Sequence, residues 1–219
     1  MLALFILGNP MVDGVLTFIK EEITMKNIAM IFLLAFLLSI PGACTGTESA
    51  DWKSSSDPKD FPLNHQQILK HLRAANEVAK EAVESGHPPF GAVLVAPDGE
   101  TVLMKQGNVS LMDHAETVIS RSAVAQYDPG YLWKCTLVTT FEPCCMCAGN
   151  VYWANIGNLV YGASETTLKK LTGDNKKNPT MNLPCRRVFK TGQKPIRVVG
   201  PVPELEDELV APHRAFWKG

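Results

Sequence analysis

The sequence predicts an α/β fold, a mixed sheet of about five strands held between helices. Three observations carry this. With 219 residues, 46% of them hydrophobic, the chain has enough apolar material for one well-packed domain plus an extra segment. From residue 64 onward, short β-rich runs bounded by turn signals alternate with longer amphipathic runs. Their order is helix, two hairpin strands, then strand–helix alternation, which suits a sheet covered on both faces.

The N-terminal stretch stands apart. Ile28 to Ile40 is almost wholly apolar, and its 13 residues fall short of the roughly 20 a spanning helix needs. They match the core of a signal peptide, with Lys26 before them and small residues after. Pro41-Gly42-Ala43-Cys44 resembles a bacterial lipoprotein processing site in which Cys44 becomes the lipidated N-terminus, although Pro41 stands where leucine is usual. Asp13, Glu21 and Glu22 outweigh Lys20 in residues 1–24, so Met25 offers the cleaner start. The expected organisation is a targeting segment at 1–44, a polar linker at 45–60 and the folded domain at 61–219. Such a protein is exported, periplasmic or membrane-anchored as a lipoprotein, and touches a membrane only through this segment. An uncleaved anchor is the rival reading, and a cytoplasmic location follows if the segment is unused.

Within the domain, Asn64 to Ser85 places Ile68, Leu72, Ala75, Val78, Ala79 and Val83 at helical spacing, and Gly86 stops the run. Phe90 to Val95 reads as a buried strand. Pro97-Asp98-Gly99 signals a turn, and Thr101 to Lys105 the returning strand. A helix is predicted over Ala115 to Gln126, a strand over Thr136 to Thr140, and another helix opening at the cysteine cluster. Asn158 to Tyr161 and Ile196 to Val199 are short strands, and Pro203 to Trp217 a final amphipathic helix. Strand-to-helix junctions then line one sheet edge, where ligand sites collect.

Six cysteines are too few for a disulfide framework in a chain this long, yet Cys144, Cys145 and Cys147 crowd into four positions. Two motifs sit at predicted junctions: His114-Ala115-Glu116 and Pro143-Cys144-Cys145-Met146-Cys147. Each alone is weak. Together, in this order, they match the H-x-E…P-C-x-x-C signature of zinc deaminases. Pro143 suits a first helical turn, and Cys144 and Cys147, three apart, then share a face and reach one ion. A helix N-terminus favours their thiolate form. His114 is the third ligand, leaving a tetrahedral zinc one open position, as in a catalytic site. Glu116, if not a ligand, is free to shuttle protons. Cys145 is expected to pack. Cys135 and Cys185 read as core thiols. His65, His71, His87 and His213 have no partner motif, and surface or capping roles are expected for them.

Residues 64 to 217 resemble the cytidine deaminase-like superfamily, in its guanine, cytosine and tRNA-adenosine deaminase branch. The resemblance rests on Pro89-Phe90-Gly91-Ala92-Val93, His114-Ala115-Glu116, Glu142 to Gly149 and Val151-Tyr152-Trp153-Ala154. It implies a three-layer α/β/α sandwich, one zinc per subunit, usually a homodimer, and a site near the subunit interface. It further implies that Asn108 hydrogen-bonds the substrate ring, that backbone around Ala115 and Cys144 cradles the base, and that Phe90 and Trp153 line the pocket. Core packing is the rival role for Phe90 and Trp153, and a turn role for Asn108.

Two departures stand out. Only six positions separate Asn108 from His114, so the loop between them is short. The acidic stretch expected in guanine deaminases is replaced by Leu171 to Pro179. The chain looks most like the bacterial nucleoside deaminases. The expected function is hydrolytic deamination of a small base or nucleoside. A tRNA adenosine deaminase is the alternative, and a non-catalytic zinc protein the third reading. The formal net charge is −1, and without residues 1–44 the chain carries 19 basic and 19 acidic residues, which disfavours a nucleic-acid partner. Lys169-Lys170 and Lys176-Lys177 read as a solvated loop.

Overall fold

A computed structural model describes residues 61–217 except Asp174 and Lys177. The targeting segment, the linker and Cys44 therefore lie outside the described residues.

Helix α1 spans His65–Glu84. Asn64 opens it with a capping box: its side chain accepts from the Gln67 N–H at 3.0 Å, and the Gln67 side chain accepts from the Asn64 N–H at 2.8 Å. The face bearing Ile68, Leu72, Ala75 and Ala79 is buried, and Gly86 ends the run at φ 81°.

Strands β1 (Gly91–Val95) and β2 (Val102–Gly107) form the expected hairpin. Asp98 holds the turn by accepting from the backbone N–H groups of Glu100 and Thr101, both at 2.9 Å. Gly91 sits where α1 crosses the sheet, and a Cβ there would lie 2.2 Å from the Ala75 carbonyl oxygen. Only glycine lets the helix approach so closely.

Next come α2 (Ala115–Val124), α3 (Pro129–Leu132), β3 (Thr136–Phe141), α4 (Cys145–Trp153) and β4 (Asn158–Ala163). After them follow α5 (Glu165–Thr172), α6 (Cys185–Lys190), β5 (Arg197–Val199), a 3-10 turn (Pro203–Leu205) and α7 (Glu206–Phe216). The strand order is β2-β1-β3-β4-β5, with β1 antiparallel to both neighbours and β3, β4 and β5 parallel.

Strand alternation sorts the core into two layers. Ala92, Leu94, Leu137 and Leu159 pack with Ala115, Ile119 and Val151 of α2 and α4. Val93, Val95, Val138 and Val160 pack with Leu72 of α1 and Leu205 and Leu209 near α7. This is the three-layer α/β/α sandwich, and the sheet is mixed with five strands as expected.

Three helices, α3, α5 and α6, were not foreseen from sequence. Short amphipathic runs of four to eight residues carry too few periodic positions to register. Lys169 and Lys170 accordingly belong to the last turn of α5 rather than to a loop. Two of the histidines also depart from expectation. His71 is buried with its Nε2 2.9 Å from the Gly99 carbonyl oxygen. His213 is buried against Phe90 and Phe141, and burial pushes its pKa down to about 3, so it packs as a neutral ring.

Candidate active site

The C-terminal ends of β3 and β4 are parallel and adjacent, so the segments leaving them meet at one sheet edge. The Pro143–Cys147 segment leaves β3 and Ser164-Glu165 leaves β4. His114 arrives at the head of α2, and α2 packs beside α4.

His114 and Cys144 are the N-cap residues of α2 and α4, both with extended backbones. This shifts one detail of the expected geometry: α4 starts at Cys145, so Pro143 precedes the cap instead of occupying the first turn. Cys144 and Cys147 still meet, because the N-cap and the third helical position adjoin, as they do in a capping box.

The His114 Nδ1 lies 3.8 Å from the Cys144 sulfur and 3.4 Å from that of Cys147. All three ligand atoms fall within 4.8 Å of one another. Zinc–sulfur and zinc–nitrogen bonds of about 2.3 and 2.0 Å at a tetrahedral angle separate N from S by roughly 3.6 Å. The donor set and spacing therefore fit one zinc ion. Cys145 is not in this group; its sulfur lies 3.5 Å from the Met181 thioether.

The hydrogen bond from Cys147, with help from His114, holds the Cys144 thiol well below the usual thiol range, against the opposing effect of burial. The reciprocal hydrogen bond and burial push Cys147 up. The same contact with Cys144 raises His114.

Glu116 is 5% exposed. Its carboxyl accepts from the Thr139 hydroxyl at 2.8 Å and lies 3.5 Å from the Cys147 sulfur, beside the three donors without belonging to them. Burial pushes its pKa up.

A cavity of about 190 Å³ opens over these groups. His114, Glu116, Cys144 and Phe90 line it, together with Leu111 of the short loop and Met181 of the segment before α6. The Phe90 ring that faces this cavity also packs edge-on against Phe141 at 5.9 Å. Ala115 is the fully buried first residue of α2, where a backbone N–H has no intrahelical partner.

Asn108 is 4% exposed. Its side-chain N–H donates to the Ser110 carbonyl at 3.1 Å, and its Oδ1 is buried without a hydrogen-bond partner among the described residues. The sequence reading of Trp153 as a pocket residue is not supported within this chain. Trp153 ends α4 and is 79% exposed, and the eight residues back to Cys145 span about 12 Å of helix.

The sequence assigns no role to two acids at this edge, Glu142 and Glu165. Glu142 accepts from the Cys185 N–H at 2.9 Å and from the Glu165 N–H at 3.2 Å, joining the starts of α6 and α5. Glu165 lines the cavity and is 6% exposed. Burial, then nearby Cys144, Glu142 and Glu116, push its carboxyl up to about 8. Ser164 ahead of Glu165, with Lys169-Lys170 and Gly173 behind, was a readable helix signature that would have placed it.

Residues 65–163 match the family described as the cytidine and deoxycytidylate deaminase zinc-binding region. A probable cytosine deaminase of Schizosaccharomyces pombe is 36% identical over 159 residues, which span 70% of this chain and 94% of that protein. The guanine deaminase of Bacillus subtilis is 38% identical over 109 residues, 48% of this chain and 67% of that one. Among solved structures, the guanine deaminase from Nitrosomonas europaea shares the fold with a TM-score of 0.56 at 22% identity, covering 68% of this chain and 84% of its own. The motif pair, the ligand spacing and these relatives lead to one conclusion: the chain belongs to the zinc-binding cytidine and deoxycytidylate deaminase family.

Proposed function

We propose that the chain hydrolytically deaminates a nucleobase or nucleoside, releasing ammonia, with zinc held by His114, Cys144 and Cys147. One observation carries the reading. Glu116 is a buried carboxyl, fixed by Thr139 beside the three donors yet outside their set. A fourth protein ligand would close the site, whereas three leave room for water and substrate.

Zinc in this position supplies an activated water. Glu116 takes up one proton of the attacking water and delivers it to the ring nitrogen, then carries the second, from the newly added hydroxyl, to the amine, which leaves as ammonia as the carbonyl forms. Phe90 provides an apolar wall for a planar ring, and the backbone at Ala115 and Cys144 cradles its edge. The unpartnered Oδ1 of Asn108 supports its assignment as a ring contact, since a buried acceptor is stabilised by an N–H from the ligand.

A cavity of about 190 Å³ falls below the roughly 300–1,000 Å³ of sites for drug-sized ligands, which favours a single base. The name of the S. pombe relative makes cytosine the first substrate to try. A homodimer belongs to the same proposal, with Trp153 and Val124 as exposed apolar side chains for a second copy to cover.

The test is ammonia release by zinc-loaded protein from a panel of bases, nucleosides and one tRNA. Release from a base or nucleoside is expected, and release from the tRNA alone overturns the proposal.

A further inference from the structure

Glu165 is more than nine-tenths buried and lines the cavity, yet its carboxyl takes no hydrogen bond among the described residues. Its neighbour Glu142 is in a different position, with one oxygen on the Cys185 N–H and the other on the Glu165 N–H. Glu116 is likewise engaged, on Thr139. Much of the remaining wall is apolar, including Phe90, Leu111, Phe141 and Leu168. The Glu165 oxygens are not among the side-chain atoms sealed from solvent without a partner, so they face the cavity, where an N–H of a bound ring would meet them.

We propose that Glu165 is a specificity-determining residue that reads the ring edge bearing the glycosidic nitrogen, so that the site takes a free base in preference to its nucleoside. This rests on the deamination reading of the site and narrows it. In every free base that nitrogen carries an N–H, and an acceptor stands beside it: the C2 carbonyl in cytosine, N3 in a purine. A carboxyl answers the N–H with its carbonyl oxygen and, when protonated, answers the acceptor with its O–H. Burial strengthens the carboxyl's hold on that proton. A nucleoside replaces the N–H by a bond to sugar, which removes the donor and adds bulk to a cavity of about 190 Å³.

The experiment is calorimetric binding to zinc-loaded protein, for the parent, Glu165→Leu and Glu165→Gln. The probes are cytosine, 1-methylcytosine, cytidine, guanine and 9-methylguanine. The parent should bind one of the two free bases at least ~10-fold more tightly than its N-methyl analogue, the discrimination expected of a lost buried hydrogen bond. Glu165→Leu should weaken the free base by ~10-fold or more and leave the methylated analogue unchanged, collapsing the preference. Glu165→Gln, which keeps an acceptor and a donor, should restore most of it.

Zinc content and thermal midpoint check that each variant is folded. Should Glu165→Leu weaken base and methyl analogue in parallel, or neither, Glu165 does not read that edge. Binding of neither free base also overturns the proposal. Discriminating binding without ammonia release would sink the proposed activity and leave this inference standing.

Discussion

The cavity has two sides with different origins. On one stand His114, Glu116 and Cys144, with the buried Cys147 beside them, delivered by two helix starts and spaced within two short motifs. On the other stand Glu165, Met181 and the segment before α6, contributed from residues 165–181 and tied to the first side through Glu142. The first side carries the chemistry we propose, and metal geometry tolerates few donor types and spacings. The second is a largely uncharged wall around Glu165, and many sequences can build such a wall. One side is therefore marked by a signature and the other is not.

Changes on the first side should have the largest effects. Glu116→Gln is expected to cut turnover by about 10²–10⁴-fold while zinc stays near one equivalent. Steady-state rates and metal analysis check both halves, and zinc lost with this substitution would make Glu116 a ligand. Cys147→Ser should instead lower bound zinc and activity together, because it removes one of only three donors.

The junction between the sides comes next. Glu142→Ala strands the buried N–H groups of Glu165 and Cys185, at a cost of about 2 kcal/mol or more. Denaturant unfolding measures it. A loss under about 0.5 kcal/mol would mean that the two sides are held together by something else.

On the second side, the effect is one of pH. The Glu165 carboxyl lies at about 8 in the folded chain against an ordinary 4.5. Its raised value means that the unfolded chain releases this proton first. The stability it contributes is fully present below 4.5 and is lost as pH rises through about 8. Glu165→Gln removes that dependence, so the variant should gain on the parent in urea midpoint from pH 5 to about pH 8 and level off above it. Parallel curves would place the carboxyl in a more solvated setting than its 6% exposure indicates.

The smallest effect is expected outside both sides. Trp153→Ala should change monomer stability by less than about 0.5 kcal/mol, since its ring is 79% exposed. A raised KM in this variant would show that Trp153 reaches the site of a second copy. Sedimentation across a concentration series separates that outcome from a local effect.

Legible in the sequence are the sheet with its helical layers, the three residues positioned to hold a metal and the carboxyl beside them. The reason is that strand alternation, helix periodicity and ligand spacing are properties of neighbouring residues, so they survive as patterns along the chain. Helix periodicity failed at α3, α5 and α6 only because those helices are short.

Tertiary structure decided the rest. Glu165 meets the cavity because β3 and β4 run parallel and end side by side, bringing residue 165 close to residues 142 and 144. His71 and His213 are buried because helices α1 and α7 lay them inside the fold, which no adjacent residue announces. Trp153, which sits in a family-like segment, is carried out of the cavity by the length of its own helix. Contacts between segments far apart in sequence leave no local signature, so only the folded chain reveals which side chains share a wall.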